Sequence, residues 1–342
     1  MTDAKTLAID PEWLPDALDA GRGVIGFVRI DSAALRREAF LDARKDQSVS
    51  ARAEAKIDDL HAFAPAAAPA AYIFHSAFCG STLLARALDR PGRSLALKEP
   101  NILLDLANAR RVHPPYRSDE AFRRHAEIVF RLVERRRAPD ERIVVKPTNL
   151  ALPLAPVVIA RGSPVLFLYG SLREFLLSIL KKGEEGRAFG RKMFNIFSLD
   201  RTPLGAIEPR QATGLTDLQA AALVWRHQLE EFGAMIAAAP RAATLDYESF
   251  IAAPARHMRA AAALFDLDLS PAMLDEIVSG PVFQADAKFS GKPFTAETRR
   301  AVNDDLESRH GADLAMITGW AERLRLARDI KLPLAKALAP VA

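Results

Sequence analysis

A turn of small residues between an apolar strand and a helix is the segment of this sequence best suited to bind an anion. Tyr72-Ile73-Phe74 predicts a short strand, and the residues 81–88 predict a helix. Gly80 lets the backbone approach a bound group closely, and the free N–H groups at the helix start favour phosphate. Ser81 and Thr82 add hydroxyl donors. The segment therefore predicts a phosphate-binding loop, although an ordinary strand-to-helix turn capped by Ser81 has the same local pattern.

The loop departs from the Walker A pattern of proteins that hydrolyse ATP or GTP. That pattern, G-x-x-x-x-G-K-[ST], requires a glycine where this chain has His75 and a lysine where it has Ser81. Only Gly80 and Thr82 fit it. The mismatch disfavours nucleotide hydrolysis, and His75 is interpreted as a structural, hydrogen-bonded histidine.

The elements that must position the loop alternate between strands and helices. Further strands are predicted at 94–97, 142–145, 164–169 and 243–246. Short apolar strands separated by helices predict a parallel sheet covered on both faces, which is the three-layer α/β/α architecture of P-loop proteins. The carboxyl ends of parallel strands meet at one edge, so Lys98, Glu99 and Lys146 are expected near the loop. Lys98 and Glu99 could equally pair with other charges at that edge.

Helical additions are predicted on both sides of this domain, which is assigned to residues 71–330. Residues 1–70 are interpreted as an N-terminal extension that ends in an Ala/Pro-rich linker, with a strand at 24–30 and helices at 32–42 and 51–60. A long helix is predicted at 216–238, and the chain reads as helical from residue 251 onward. Residues 183–186 predict a flexible loop, and 331–342 a loosely held tail.

Composition favours a cytoplasmic protein with a small anionic ligand. The 342 residues are 49% apolar and 26% charged with a net charge of +4, a small excess that does not indicate a nucleic-acid partner. The single cysteine, Cys79, excludes an intrachain disulfide and favours a reducing compartment. No signal peptide, membrane span or metal-ligand spacing is found. The basic run 135–137 is interpreted as a solvated helix end.

Several segments, in the right order, resemble the sulfotransferase family. Residues 74–88 resemble its 5′-phosphosulfate loop, which commonly reads R-S-G-S-T-L-L or K-S-G-T-T-W. Val144–Pro147 is similar to the third strand and its following K-x-P, and Val165–Ser178 occupies the place of the 3′-phosphate motif, R-D-P followed by a serine. Leu245–Phe250 (LDYESF) resembles a Y-E-D-L segment, and Phe265–Asp268 resembles an F-L-G-L helix ending. The resemblance covers roughly residues 71–270.

The resemblance implies transfer of a sulfonate from 3′-phosphoadenosine 5′-phosphosulfate to a hydroxyl or amine of a small-molecule or carbohydrate acceptor. It implies that the loop residues Cys79, Gly80, Ser81 and Thr82 hold the 5′-phosphosulfate. Ser178 falls on the serine that contacts the 3′-phosphate. Glu99 follows the second strand, where many members of the family have the general base.

Two cations of the family pattern are missing. The loop cation is replaced by Phe78 and the arginine of the 3′-phosphate motif by Gly170. Losing one such charge-assisted contact costs a few kcal/mol, so other cations must compensate if the donor binds. The residues expected to supply that charge are Lys146, Lys98, Arg173 and Lys288.

Two other functions are consistent with the same residues. Loss of both cations is what a non-catalytic nucleotide- or anion-binding module would show. A P-loop kinase using another lysine is the third possibility, and the Walker A mismatch makes it the weakest.

Overall fold

Short strands and helices alternate along most of the chain. The computed structural model describes residues 2–42, 48–66, 68–200, 202–284, 296–324 and 330–338. The strands are β1 (Trp13–Asp19), β2 (Val24–Arg29), β3 (Ala51–Lys56), β4 (Ala71–His75), β5 (Ser94–Lys98), β6 (Arg142–Lys146), β7 (Val165–Tyr169) and β8 (Ala242–Asp246). The helices are α1 (Ala4–Ile9), α2 (Ser32–Arg37), α3 (Ile57–His61), α4 (Ser81–Ala87), α5 (Asn101–Val112), α6 (Asp119–Val133), α7 (Ala155–Ala160), α8 (Leu172–Lys181), α9 (Gly183–Phe197), α10 (Pro209–Thr213), α11 (Asp217–Ala238), α12 (Tyr247–Ala252), α13 (Pro254–Leu264), α14 (Pro271–Ser279), α15 (Pro281–Gln284) and α16 (Ala296–Arg323). Short 3₁₀ helices cover Pro114–Arg117, Asn149–Leu154 and Pro203–Ala206.

Five parallel strands form the central sheet in the order β5-β6-β4-β7-β8, with helices on its faces. All five residues of β4 and of β7 are buried, because strands of a parallel sheet are covered on both sides. Within the sheet, Lys98 of β5 lies opposite Lys146 of β6, so the two strands end together. The predicted three-layer α/β fold with a parallel sheet and helical additions is confirmed.

A second, antiparallel sheet of β1, β2 and β3 lies in the N-terminal region. The predicted strand at 24–30 is confirmed, but the predicted helix at 51–60 is wrong, since 51–56 form β3 and only 57–61 are helical. Along β3 the burial alternates residue by residue, as in a half-buried strand, although its alanines and charged residues favour a helix locally. The sequence also gave no sign of β1, whose pairing is irregular at Pro15.

The chain divides into two compact units that do not follow the predicted boundaries at 70 and 330. The first unit comprises Met1–Phe74, Thr82–Val165 and Ala262–Pro271. The second comprises His75–Ser81, Leu166–Ala261 and Ala272–Ala342. The turn at 75–81 therefore belongs to the second unit, together with β8 and α11.

In the basic run after α6, Arg135 and Arg137 anchor the N-terminal region, which corrects the interpretation of these two residues as a solvated helix end, whereas Arg136 is exposed. The Arg135 guanidinium is buried and donates hydrogen bonds to four backbone carbonyls of the N-terminal region, those of Leu7, Ala8, Asp10 and Trp13. Burial lowers the pKa of Arg135 to about 9. Arg137 donates in the same way to the Ile30 carbonyl at 2.6 Å. These arginines hold the N-terminal extension onto the rest of the first unit.

Residues 183–186 begin a helix, α9, so the predicted flexible loop is wrong. Two glycines in four residues suggested a loop, but Gly186 has a packing role. A Cβ on Gly186 would lie 2.0 Å from the Ile179 carbonyl oxygen, so only glycine allows the start of α9 to come this close to the end of α8.

The C-terminal segment 332–338 is bound to β8 and is not a loose tail, and residues 339–342 of the predicted tail lie outside the described residues. The Thr244 amide donates to the Lys336 carbonyl at 2.9 Å, and the Leu338 amide donates to the Thr244 carbonyl at 2.7 Å. The Leu334 amide donates to the Tyr169 hydroxyl at 3.0 Å. The segment therefore lies along the free edge of β8 in strand-like pairing.

We expect Leu334→Ala to lower the free energy of unfolding by about 2–4 kcal/mol, because it removes a buried side chain. Leu332, in the same segment, is 50% exposed, so Leu332→Ala should change the stability by no more than about 0.5 kcal/mol. Urea denaturation of both variants measures the two values. Equal, small effects would show that the segment does not contribute to the stability of the fold.

Candidate functional site

The turn between β4 and α4 has an unusual backbone. Ala77, Phe78 and Gly80 have φ angles of +66°, +52° and +72°. Two non-glycine residues in this left-handed region within one turn are rare, and each costs roughly 1–3 kcal/mol, which the surrounding contacts must offset. Successive amides in such turns can form a concave, electropositive site for anions.

The side chains of Cys79 and His75 in the turn are held by hydrogen bonds to different backbone groups. Cys79 is buried, and its thiol donates a hydrogen bond to the Leu168 carbonyl at 3.4 Å, which supports a packing role. Nδ1 of His75 accepts a hydrogen bond from the Ala77 amide at 3.2 Å, which confirms its structural interpretation. Ser81 and Thr82, expected to bind the ligand, are both buried.

Phe78, which stands at the position of the family's loop cation, packs against two helices. Its ring centroid lies 5.7 Å from that of Phe175 on α8 and 5.8 Å from that of Phe189 on α9. The residue thus fixes the turn to an apolar surface of the second unit. It cannot supply the positive charge that the family pattern requires.

The segment after β8 closes around the turn. The ring of Tyr247 packs against Gly80, where an added Cβ would lie 2.4 Å from its Cε2 and 2.7 Å from its Cδ2. The Cβ position of Gly170 lies within 4 Å of Cys79, Tyr247 and Glu248. Gly170 is also fixed through its carbonyl, which accepts a hydrogen bond from Trp225 Nε1 at 2.8 Å. The segments 75–81, 170–171 and 246–248 therefore form one cluster in the second unit, which we call the loop cluster.

Glu248 places a carboxyl group in the loop cluster. Its Oε1 accepts hydrogen bonds from the Ser171 hydroxyl at 3.0 Å and from the Ser171 amide at 3.3 Å. Its Oε2 is buried and accepts no hydrogen bond from the described residues. Burial raises the pKa of Glu248, and the neighbouring Asp246 carboxylate raises it further.

Two further buried and unpaired polar atoms belong to Ser76 and to Gln228. Ser76 is 1% exposed, and its Oγ has no hydrogen-bond partner in the described part of the chain. Gln228 of α11 donates its Nε2 to the His75 carbonyl at 3.4 Å, while its Oε1 is buried with no partner among the described residues. Unpaired buried polar atoms are uncommon in folded proteins, and each one calls for an explanation such as a bound group.

The expected catalytic pair, Lys146 and Glu99, belongs to the first unit and is joined by an ion pair. Lys146 is fully buried, and its Nζ lies 5.7 Å from the centroid of the Phe40 ring. Glu99 has a φ of +58°, so its backbone is held in the left-handed region just after β5. The pairing that the sequence left open is observed. Their roles as charge-stabilising cation and general base stay predictions.

Lys98, also expected at the active site, makes the contacts of a structural residue. It has no exposed surface, and its Nζ donates to the Leu35 and Arg36 carbonyls at 3.1 and 3.2 Å. Its third contact is the Asp89 carboxylate at 3.3 Å. Burial lowers the pKa of Lys98, and Asp89 opposes that shift.

Two of the remaining expected ligand residues, Arg173 and Ser178, lie on α8, outside the loop cluster. Arg173, on α8, forms an ion pair with Glu307 and is half exposed. Ser178 lies further along α8 and is partly buried. Lys288 lies outside the described residues.

The sequence analysis did not identify two residues of the loop cluster, Ser76 and Glu248, or Gln228, which donates a hydrogen bond to the His75 carbonyl of that cluster. Ser76 is inside the predicted loop, but nothing in its type distinguishes it from a turn residue. Gln228 lies on a buried stretch of α11, where a polar residue among apolar ones was the available signal. Glu248 was noted only as part of a resembling segment.

Two structural signatures, those of a metal site and of a membrane span, and three comparisons with known proteins bear on the site. Within the described residues, no group of three or more His, Cys, Asp or Glu side chains is arranged to hold a metal ion. No helix in the described ranges is both long and apolar enough to cross a membrane. Searches against protein-family models, curated proteins and solved structures find no match for this chain.

Proposed function

We propose that the chain binds a phosphorylated ligand at the loop cluster. The observation that carries this proposal is the turn itself, in which three left-handed residues follow Ser76, whose hydroxyl is buried and has no partner among the described residues. A left-handed backbone turns amides toward a common point, and a phosphate oxygen entering there would give the Ser76 hydroxyl its missing acceptor. The fold supports the proposal, since ligands of parallel α/β sheets bind beyond the carboxyl ends of the strands.

Group transfer is the reaction that we propose for the bound ligand, and sulfonate transfer is the form that the family resemblance implies. The acceptor oxygen or nitrogen would bond to sulfur while the bond from sulfur to the phosphate oxygen breaks. The electron pair stays on the leaving phosphate, and the acceptor's proton passes to a general base. The resemblance assigns the roles of base and cation to Glu99 and Lys146, which stay predictions from the sequence. The acceptor is a hydroxyl or amine compound of small-molecule or carbohydrate type.

A non-catalytic anion-binding module is the second candidate function. It is favoured by one observation, the apolar contacts of Phe78 at the position where the family has its loop cation. A loop that binds phosphate through amides and hydroxyls needs no such cation, whereas stabilising a leaving group does. Release of 3′-phosphoadenosine 5′-phosphate from 3′-phosphoadenosine 5′-phosphosulfate in the presence of a panel of acceptors would favour the enzyme over the module.

Ser76→Ala tests ligand binding at the loop. We expect it to weaken the binding of inorganic pyrophosphate about tenfold, because it removes a hydrogen bond to a charged group. We also expect it to leave the free energy of unfolding unchanged or slightly higher, because it removes an unpaired buried hydroxyl. Titration calorimetry and urea denaturation give the two values.

Ser279→Ala is the matched control, since the Ser279 hydroxyl is exposed and donates to the helix carbonyl of Asp275. It should leave pyrophosphate binding unchanged. The proposed function is wrong if the unmodified protein binds neither pyrophosphate nor 3′-phosphoadenosine 5′-phosphate, or if Ser76→Ala binds both as well as the unmodified protein does.

A further inference from the structure

The C-terminal segment 332–338 binds β8 through one residue of that strand, Thr244. The Thr244 amide donates to the Lys336 carbonyl at 2.9 Å, and the Thr244 carbonyl accepts from the Leu338 amide at 2.7 Å. The Thr244 hydroxyl lies within hydrogen-bond distance of two more carbonyls, those of Ala335 at 3.0 Å and Leu334 at 3.3 Å. The backbone of β8, two residues before the strand ends, is therefore held by the C-terminal segment.

The same segment is bound to the end of β7. The Leu334 amide donates to the hydroxyl of Tyr169, the last residue of β7, at 3.0 Å, and both residues are buried. Lys336 has a φ of +51°, a left-handed conformation that a non-glycine residue keeps only while the surrounding contacts hold it. Release of the segment would therefore break its contacts with both strands and relieve the backbone at Lys336.

Both strands lead directly into the loop cluster. Gly170 follows β7, and its Cβ position lies 3.7 Å from the Cβ of Cys79 in the turn. Thr244 lies three residues before Tyr247, whose ring packs against Gly80. Because packed interiors have low compressibility, a displacement of either strand end is transmitted to the turn through these contacts.

We propose that the C-terminal segment regulates the phosphate-binding turn, which binds its ligand with full affinity only while the segment is docked on β7 and β8. The inference rests on the proposed function, because it takes phosphate binding at the turn as given. The two states are the docked segment of the structure and a released segment that leaves the edge of β8 open to water. Coupling between two sites is reciprocal, so the ligand opposes release of the segment by the same factor by which release weakens the ligand.

Amide hydrogen exchange of the unmodified full chain tests the coupling from the ligand side. The Leu338 amide loses its acceptor, the Thr244 carbonyl, whenever the segment is released. Saturating pyrophosphate should slow the exchange of this amide about tenfold, a usual size for coupling between sites. The control is the Ile30 amide, which donates to the Glu12 carbonyl in the first unit and should exchange at the same rate with and without pyrophosphate.

A matched pair of substitutions tests the coupling from the side of the segment. Leu334→Asp places a carboxylate at a buried position and should release the segment, which faster exchange of the Leu338 amide would verify. Titration calorimetry should then show that pyrophosphate binds about tenfold more weakly. Leu332→Asp adds the same charge to a side chain that is 50% exposed, so the affinity should not change. If Leu334→Asp does not fold, the hydrogen exchange of the unmodified chain decides.

The outcomes separate this inference from the proposed function. Equal pyrophosphate affinity in the unmodified protein and in a released Leu334→Asp protein would overturn the regulatory role and leave the phosphate-binding turn in place. Exchange of the Leu338 amide that pyrophosphate does not slow, or slows no more than that of Ile30, would have the same meaning. If the unmodified protein binds 3′-phosphoadenosine 5′-phosphate but not pyrophosphate, that nucleotide is the probe. If it binds neither, the proposed function fails, and the inference fails with it.

Discussion

Gly80→Ala is expected to abolish most ligand binding and to destabilise the fold. Gly80 has a φ of +72°, and an added Cβ would overlap the ring of Tyr247 at 2.4 Å. The left-handed backbone costs an alanine about 1–2 kcal/mol, and displacing the tyrosine adds about 1–3 kcal/mol of overpacking. Because the displaced ring belongs to the loop cluster, pyrophosphate affinity should fall by more than about tenfold.

Gly92→Ala separates the cost of the left-handed backbone from the cost of the overlap with Tyr247. Gly92 has nearly the same φ, +75°, but nothing lies within 4 Å of its Cβ position. It should therefore show the backbone cost alone, with ligand binding unaffected. Urea denaturation and pyrophosphate titration of both variants make the comparison. Equal destabilisation by the two substitutions would mean that the close approach of Tyr247 to Gly80 has no energetic importance.

Lys98→Ala is expected to lower the free energy of unfolding by about 3–5 kcal/mol. The substitution leaves the Leu35 and Arg36 carbonyls without their donor and removes a cation from beside the buried Asp89. Burial already raises the pKa of Asp89, so losing the Lys98 charge should raise that pKa further. Denaturation in urea at neutral pH measures the loss.

Lys192→Ala is the control for this variant, because Lys192 is exposed on α9. Its effect should stay within about 0.5 kcal/mol. A Lys98→Ala protein with normal stability but no transferase activity would support the catalytic role expected from the sequence. A strongly destabilised protein would support the structural role that the contacts indicate.

The parts of the fold that could be predicted are those whose local pattern agrees with their final environment. The strands β4 and β7 are apolar throughout, as buried parallel strands must be, and their sequences show it directly. β3 was missed because its alternating alanine and charged residues favour a helix in isolation, and pairing with β2 decides the outcome. Gly186 suggested a flexible loop because the sequence does not show that the Ile179 carbonyl lies against it.

The site was predicted as a loop but not as a cluster. The turn around Gly80 could be identified because its residue types fit a strand, a turn and a helix in succession. The residues that contact the turn could not be predicted from the sequence, because they are distant along the chain. Gln228 lies 153 residues from His75, and Glu248 lies 77 residues from Ser171. Lysines at strand ends were correctly located, yet their residue type does not reveal that Lys98 is bound to Asp89 and two carbonyls.

The C-terminal segment has a consequence for synthesis on the ribosome. Thr244 of β8 and its partner Ala335 are 91 residues apart, so the strand leaves the exit tunnel long before the segment that covers it. At typical elongation rates of about 5–20 residues per second, the edge of β8 stays unpaired for roughly 5–20 s before the C-terminal segment is synthesised. An uncovered strand edge is a template for pairing with another chain, so nascent chains of this protein should need chaperone protection during that interval.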